Sequence, residues 1–537
     1  MGGQAVTGRR TGRRRESSMA ETKAAAVHDG GAGSSGVRRE VLIILPGLLL
    51  AIMLAMLDQL VVSTALPRIV GELGGVTHLS WVVTSYVLAS TVTTPLYGKL
   101  GDMYGRKRWL MIAIVIFLAG SALSGLAHSM DQLIAFRALQ GVGAGLATPQ
   151  ALTIAYSVFP PERRGTAFGF QSGAAGLGIV AGPVLGGFVT STFGWRWVFY
   201  LNVPIAAALV AGTFIVVPRL AARRRRRYDW IGVLLLGGSL LAVVFALAEG
   251  QRYRWGAVLG AITIPGILVA GLALAAVFVA WERGRPEPLL PLPLFKDVNL
   301  SIAVWLNFSM YFALAFTLAY QVYLQAGLGL GTLVAGLALI PINATYAITS
   351  PLGGWLTDRI GGKYVVMSGI ALFALGLAGL AVVATSASTP IAFIVPLAVG
   401  GLGMAAFFSS VTVLAIRRVP PEMAGAASGV INAGRWVGGV LGLAVVGAIM
   451  QVALTVTLGS GAAANATAVP ARPVGGLARR ALADGYVFAL RWVLVGMVVV
   501  LVIGVLTSLG FATDRSSEPA PAPAPSPSRA SRPRSGA

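Results

Sequence analysis

Between residues 41 and 511 the chain is a succession of long apolar runs, parted by short clusters rich in Gly, Pro, Arg and Lys. A helix needs about 20 such residues to cross the hydrocarbon core of a bilayer. Within that core every backbone polar group must be satisfied internally, which leaves helices or closed barrels. The runs are continuously apolar and do not alternate with period two, so a transmembrane barrel is excluded. Only 11% of the residues are charged, against about a quarter in a soluble domain, and a water-facing surface for 537 residues cannot be built from that supply. The chain therefore reads as an all-α polytopic membrane protein.

The clusters divide the apolar region into fourteen spans, at 41–66, 80–98, 109–128, 131–154, 166–192, 197–217, 230–249, 257–281, 299–324, 332–355, 364–385, 390–414, 425–457 and 486–511. The flanking segments, 1–40 and 512–537, are rich in Arg, Gly, Ala, Pro and Ser and read as disordered tails, the first a basic cytoplasmic one. Met19 is a possible alternative start. Net charge is +22, and topology accounts for its sign without any nucleic-acid partner. With both termini inside, most of the Lys and Arg fall on the cytoplasmic side, leaving Arg68, Arg196, Arg252, Arg254, Arg472, Arg479 and Arg480 outside. Loops rich in Lys and Arg stay in the cytoplasm, so the expectation is an even number of crossings. There is no cysteine, and none of His28, His78 and His128 lies in the interior of a span. Metal chemistry is not expected. No phosphate-binding Gly-x-x-x-x-Gly-Lys-Ser/Thr loop occurs, so no cofactor is expected and energy must come from an ion gradient or a separate subunit.

The sequence repeats itself. Gly98, Leu100, Asp102, Gly105 and Lys107 recur in the same spacing as Gly354, Leu356, Asp358, Gly361 and Lys363. Pro160-Pro161-Glu162, with Gly165 and Gly169, recurs as Pro420-Pro421-Glu422, with Gly425 and Gly429. The offset exceeds what six helices need. Two six-helix halves in the same orientation, 41–217 and 299–511, separated by two extra helices within 218–298, explain it. Parallel repeats of this kind place a substrate site between the halves, near the midplane.

The stretch Gly98-Lys99-Leu100-Gly101-Asp102-Met103-Tyr104-Gly105-Arg106-Lys107-Arg108 resembles the loop motif between the second and third helices of the major facilitator superfamily. Three further segments are similar to those of its fourteen-helix drug:proton antiporter branch, the EmrB/QacA type. They are Leu57-Asp58-Gln59 through Pro67, Leu133 with Arg137, Gln140, Gly141 and Gly143, and Gly178-Ile179-Val180-Ala181-Gly182-Pro183-Val184-Leu185-Gly186-Gly187. Leu60 and Ser63 depart from that pattern, and no acidic residue lies inside the second-half spans. The resemblance implies the major facilitator fold and a proton-coupled, monomeric multidrug exporter in a bacterial cytoplasmic membrane. Its partners would be protons, the bilayer and a lipophilic substrate. A lipid or envelope-precursor exporter is the alternative on the same fold, and an integral-membrane enzyme a remote one.

Asp58 is the only acidic residue well inside a predicted span, and ionisable groups in a membrane are costly enough to be functional by default. Helix geometry places Arg137 at similar depth, making the two the candidate proton-coupling pair. The second half has Leu314 and Leu397 at the corresponding positions. Gly98, Gly101 and Gly105 are expected to allow a tight cytoplasmic turn. Asp102, beside Arg106, and its counterpart Asp358 would cap a helix or pair with a guanidinium, latching the halves. Gly178, Gly182, Gly186 and Gly187 are expected to form one smooth strip on the fifth span, with Gly182-Pro183 adding a bend that seals one conformation. The ninth span carries Trp305, Phe308, Phe312, Phe316, Tyr320 and Tyr323 as packing aromatics or as one wall of a drug cavity. Met53, Met56, Met404, Phe407 and Phe408 would add adaptable surface to such a cavity. Arg435, without an obvious acidic partner, is kept with the cavity candidates, although packing or gating suits it better than substrate contact. With Asp58 as its one carboxylate, such a site is expected to prefer neutral or monocationic cargo over dications.

Overall fold

The computed structural model describes residues 34–74, 79–159, 163–216, 229–285 apart from 251 and 254, 292–417, 419, 423–458 and 476–511. The long helices fall on the predicted spans: α1 (Ser34–Leu73), α2 (Leu79–Tyr104), α3 (Arg106–Gly125), α4 (Met130–Val158) and α5 (Arg164–Thr192). The sixth span is α6 (Arg196–Tyr200) followed by α7 (Asn202–Val216). Pro204 stands in the first turn of α7, where a missing N–H is tolerated. Next come α8 (Trp230–Glu249) and α9 (Ile264–Arg283). The ninth span is broken into α10 (Val298–Leu314) and α11 (Phe316–Val322), closed by a π-helical turn at Tyr323–Gly327. The remainder are α12 (Thr332–Leu337), α13 (Ile340–Ile360), α14 (Gly362–Val383), α15 (Ile394–Ile416), α16 (Ala424–Leu458) and α17 (Gly476–Ser508).

Two expectations need correction. Residues 257–263 do not begin the eighth span. They form a small antiparallel hairpin, β1 (Ala257–Leu259) and β2 (Ile262–Thr263), with Gly260 at φ 53° in its turn. The Thr263 side chain then caps α9, accepting from the Gly266 N–H, with Pro265 in the first turn. The tight turn after α2 also needs fewer glycines than expected. Residues 98 and 101 continue the helix, and the chain turns at Gly105, whose φ of 97° a side chain would disfavour. The repeat reproduces this: Gly361, the counterpart of Gly105, joins α13 to α14 at φ 88°.

Twelve segments among the described residues are long and apolar enough to cross a membrane. They lie in every predicted span except the second and fourth, which are occupied by α2 and α4. Those two helices carry Ser85, Ser90, Thr91, Thr93 and Thr94 on one and Arg137 and Gln140 on the other, all buried. A helix packed inside a bundle does not meet lipid all round, so its polar content is tolerated where partners are present.

Each half has its own core. One large cluster runs from Leu294 to Phe511, with Met310, Phe316, Phe373, Phe407 and Leu490 deeply buried. In the first half the core is split into two layers. Leu54, Tyr86, Phe117 and Ala144 belong to one, and Leu57, Val61, Leu133 and Phe199 to the other. Val233 of α8 and Phe278 of α9 form a small separate cluster. The repeated lysines brace the halves alike: Lys107 Nζ donates to the Phe214 carbonyl at the end of α7 (2.7 Å), and Lys363 Nζ to the Leu509 and Phe511 carbonyls beyond α17 (both 2.8 Å). A cation there satisfies carbonyls left open at a helix C-terminus. The halves meet where α5 packs along α13 and α2 along α16.

Candidate functional site

The layer break in the first half is filled by one polar network. Arg137 Nη1 donates to Asp58 Oδ2 at 2.8 Å, while Asp58 Oδ1 accepts from Gln140 Nε2 at 2.8 Å and from Asn202 Nδ2 at 2.6 Å. Arg137 Nη1 also reaches Gln140 Oε1 (2.7 Å), and Arg137 Nε the Val82 carbonyl (3.3 Å). The guanidinium lies over the Tyr86 ring, 4.3 Å from its centre. Asn202 Nδ2 is shared with Ser121 Oγ. Both members of the ion pair are buried. Such a pair holds only if further hydrogen bonds satisfy each charge, and removing one partner typically costs about 3–5 kcal/mol. The predicted juxtaposition of Asp58 and Arg137 is therefore present, joining α1 to α4. Sequence reasoning gave no role to Gln140 or Asn202. Asn202 had left a signal as an amide in an otherwise apolar span.

Asp358 joins the halves. Its Oδ1 accepts from the Gly165 N–H (2.7 Å), and its Oδ2 from the Thr166 N–H (2.8 Å) and hydroxyl (2.7 Å), so a carboxylate of α13 caps the first turn of α5. Negative charge is stabilised at that end by the helix dipole and its open N–H groups. Of the other gate candidates, Gly105 makes the turn described above and Gly98 continues α2. The side chains of Asp102 and Arg106 lie outside the described residues.

Helix α5 carries two smooth strips. At Gly178 a side chain would meet the Met53 carbonyl at 2.7 Å, at Gly182 the Leu60 Cβ at 2.6 Å, and at Gly186 the Val61 backbone at 2.9 Å, so this strip seats α1. Gly187 faces open space and Pro183 is exposed; neither belongs to the strip, because one further residue turns each of them about 100° away from it. The second strip was not anticipated as such. Gly165, Gly169, Gly173 and Gly176 lie against Gly354, Ser350 and Ala347 of α13, across the boundary between the halves.

Between the halves lies a cavity of about 220 Å³. Ile52, Ala55 and Met56 of α1 and Phe168, Gln171, Ser172, Ala175 and Ile179 of α5 form one side. Asn307, Tyr311 and Leu314 of α10, Tyr346 of α13, Met404, Phe408 and Thr412 of α15, and Ser428, Ile431, Asn432 and Arg435 of α16 form the other. Of the cavity candidates, Met56, Met404, Phe408 and Arg435 line it. Phe308, Phe312 and Phe316 do not, for a geometric reason: the inward stripe of α10 is 307, 311 and 314, one residue out of phase with the aromatic stripe, a rotation of about 100°. Phe308 and Phe312 stack on each other and lay their backbone against Gly438 and Gly442 of α16, while Phe316 sits in the core against Phe373. Phe407 is likewise core, its backbone against Gly369, and Met53 belongs to the α1–α5 contact. Asp58 is not among the cavity residues. Tyr311, which pattern reading passed over, bonds to Arg435 through its hydroxyl and lies beneath its guanidinium, 4.6 Å from the ring centre.

The family model described as Major Facilitator Superfamily matches residues 48–443 and, again, 300–535. Among curated proteins, Multidrug resistance protein 3 of Bacillus subtilis (strain 168) is 33% identical over 433 residues, covering 78% of this chain and 83% of its own. Multidrug resistance protein Stp of Mycobacterium tuberculosis is 34% identical over 416 residues, 76% of each chain. The Tetracenomycin C resistance and export protein of Streptomyces glaucescens is 31% identical over 423 residues, 78% of this chain and 77% of its own. Among solved structures, the proton:xylose symporter XylE superposes with a TM-score of 0.59 at 17% identity, over 88% of this chain and 95% of that one. The repeat, the buried ion pair, the cavity between the halves and these similarities agree: the chain is a multi-pass membrane protein belonging to the major facilitator superfamily.

Proposed function

We propose that this protein is a transporter, not an enzyme, that exports lipophilic small molecules, drugs among them, across a bacterial cytoplasmic membrane in exchange for protons. The observation that carries the reading is the cavity between two halves that are latched at one end by Asp358 of α13 capping α5. A site enclosed between two rigid bundles can be opened to one side or the other by rocking them. The relatives named for multidrug resistance and for tetracenomycin C export support the cargo class. The protein acts as a monomer of fourteen spans, two six-helix halves with the 218–298 pair between them, and has both termini in the cytoplasm. The Asp58–Arg137 network is the proton-coupling element. Helix α1 turns Met56 to the cavity and Asp58 to the interior of its own half, so a change in the network can move the wall that cargo touches.

The direct test is efflux. Cells producing the full chain and preloaded with lipophilic dyes are expected to retain several-fold less dye than control cells, and a protonophore should abolish the difference. Equal retention, or a difference the protonophore leaves intact, would sink the proposal. Transfer of labelled lipid between leaflets without dye efflux would favour a lipid exporter instead. The topology is checked separately, because the chain has no cysteine. Single cysteines at His78, Ala387 and Ala464 should react with an impermeant reagent on intact cells, and one at Pro161 should not. Ala387 lies in the exposed turn between α14 and α15. Reaction at Pro161 in sealed cells would reverse the assignment.

A further inference from the structure

The charge of the cavity is opposite to the one expected when Asp58 is taken to face the substrate. Asp58 is enclosed within the first half and held by Arg137, Gln140 and Asn202. Among the described residues the cavity wall includes no Asp, Glu or Lys, and its one guanidinium is Arg435. Among the described residues the partners of Arg435 are neutral: Nη1 donates to Asn432 Oδ1 at 3.0 Å and Nη2 to the Tyr311 hydroxyl. No carboxylate among the described residues bonds to it.

A cation in a low-dielectric space with only neutral acceptors is incompletely compensated. A guanidinium also presents a planar fork that matches the two oxygens of a carboxylate better than it matches any neutral group. The surrounding walls suit a flat ring system. Tyr311 meets Phe408 edge to face with centres 5.5 Å apart, Tyr346 meets the same ring at 5.8 Å, and Phe168 closes the cavity from the first half. Aromatic faces and edges arranged in this way favour planar aromatic guests.

The geometry points to planar aromatic carboxylates as the preferred cargo, with the acid group paired to Arg435 and the rings between Phe408 and Phe168. A monocation would meet Arg435 as a like charge. This assignment rests on the exporter reading above and names its substrate class.

The test uses the full-length protein in detergent and three fluorescent probes of one shape: anthroate, anthracenemethanol and (aminomethyl)anthracene, which are an anion, a neutral molecule and a cation at neutral pH. Anthroate should bind about tenfold or more tighter than the amine, the difference expected when a hydrogen-bonded charge pair is gained. Arg435→Gln should weaken anthroate by about tenfold and leave anthracenemethanol within about twofold, and Arg435→Lys should recover part of the loss. Thermal unfolding of the variants serves as the folding control, and direct binding of anthracenemethanol to the Gln variant keeps the comparison valid where unfolding shifts. Equal binding of anion and amine, or anthroate binding unchanged in Arg435→Gln, overturns the charge assignment while leaving the exporter reading intact. Failure of all three probes to bind, and of all three to be exported from proteoliposomes carrying a proton gradient, overturns both.

Discussion

Asp58→Asn is expected to reduce proton-driven efflux to the level of cells without the transporter, while the protein still inserts in the membrane. The amide keeps the shape of the carboxylate but not its charge. The side chain can still accept from Gln140 and Asn202 through its oxygen, as Asp58 Oδ1 does, but its NH₂ group then points at Arg137 Nη1, a donor facing a donor. The guanidinium is left buried with no countercharge, and a stability loss of about 3–5 kcal/mol is expected. A second variant separates structural damage from loss of coupling. Asp58→Asn combined with Arg137→Gln makes the network neutral, so thermal stability should largely return while transport does not. Efflux that survives Asp58→Asn and still disappears with a protonophore would show that Asp58 does not carry the coupling proton. Restored efflux in the double variant would do the same.

Gly354→Leu should hold the two halves apart at the Asp358 end. A side chain at Gly354 would run into the Gly165 carbonyl and lie 3.0 Å from the Gly169 Cα, both on the opposite half. The closed contact cannot accept it without backbone movement. Overpacking of this kind costs about 1–3 kcal/mol, which applied to one of two conformations changes their ratio by about 5- to 150-fold. A single cysteine at Ser350, fully buried in the closed contact, reports the change. Its labelling rate should rise about tenfold in the Gly354→Leu background, and efflux should fall to background because the cycle stalls open. Gly187→Ala is the control, since nothing lies within 4 Å of a Cβ there, and it should alter neither readout. Unchanged labelling and transport in Gly354→Leu would show that α5 and α13 do not need to close on each other during the cycle.

Both experiments turn on residues whose importance was only partly visible beforehand. Asp58 stood out because one carboxylate in a long apolar run has few explanations, and the depth of Arg137 on a helix of opposite direction followed from rise per residue alone. The repeat marks Asp358 and Gly361 in the sequence, and Lys107 and Lys363 bracing equivalent helix ends show that the two copies preserve contacts as well as letters. What one dimension could not supply was azimuth. The aromatic stripe of α10 and its cavity-facing stripe differ by a single residue step, and only the packing of Phe308 and Phe312 on Gly438 and Gly442 settles which one turns inward. The glycines of α5 likewise read as one strip, when the helix in fact shows one small-residue face to α1 and another to α13.

That the chain crosses a membrane as helices, that it is built from a repeated half, and that one carboxylate and one guanidinium lie at matching depth in the first half all follow from the order of residues. These properties depend on hydrophobic length, on spacing along the chain and on the cost of burying charge, all of which are local or additive. Packing in three dimensions is what withdraws this pair into the interior of its half, leaves Arg435 and not Asp58 to set the charge of the cavity, and brings Asp358 to cap a helix of the other half. Each of those depends on which face of a helix meets which neighbour, and a rotation of about 100° per residue exchanges cavity for core without changing any sequence-averaged quantity.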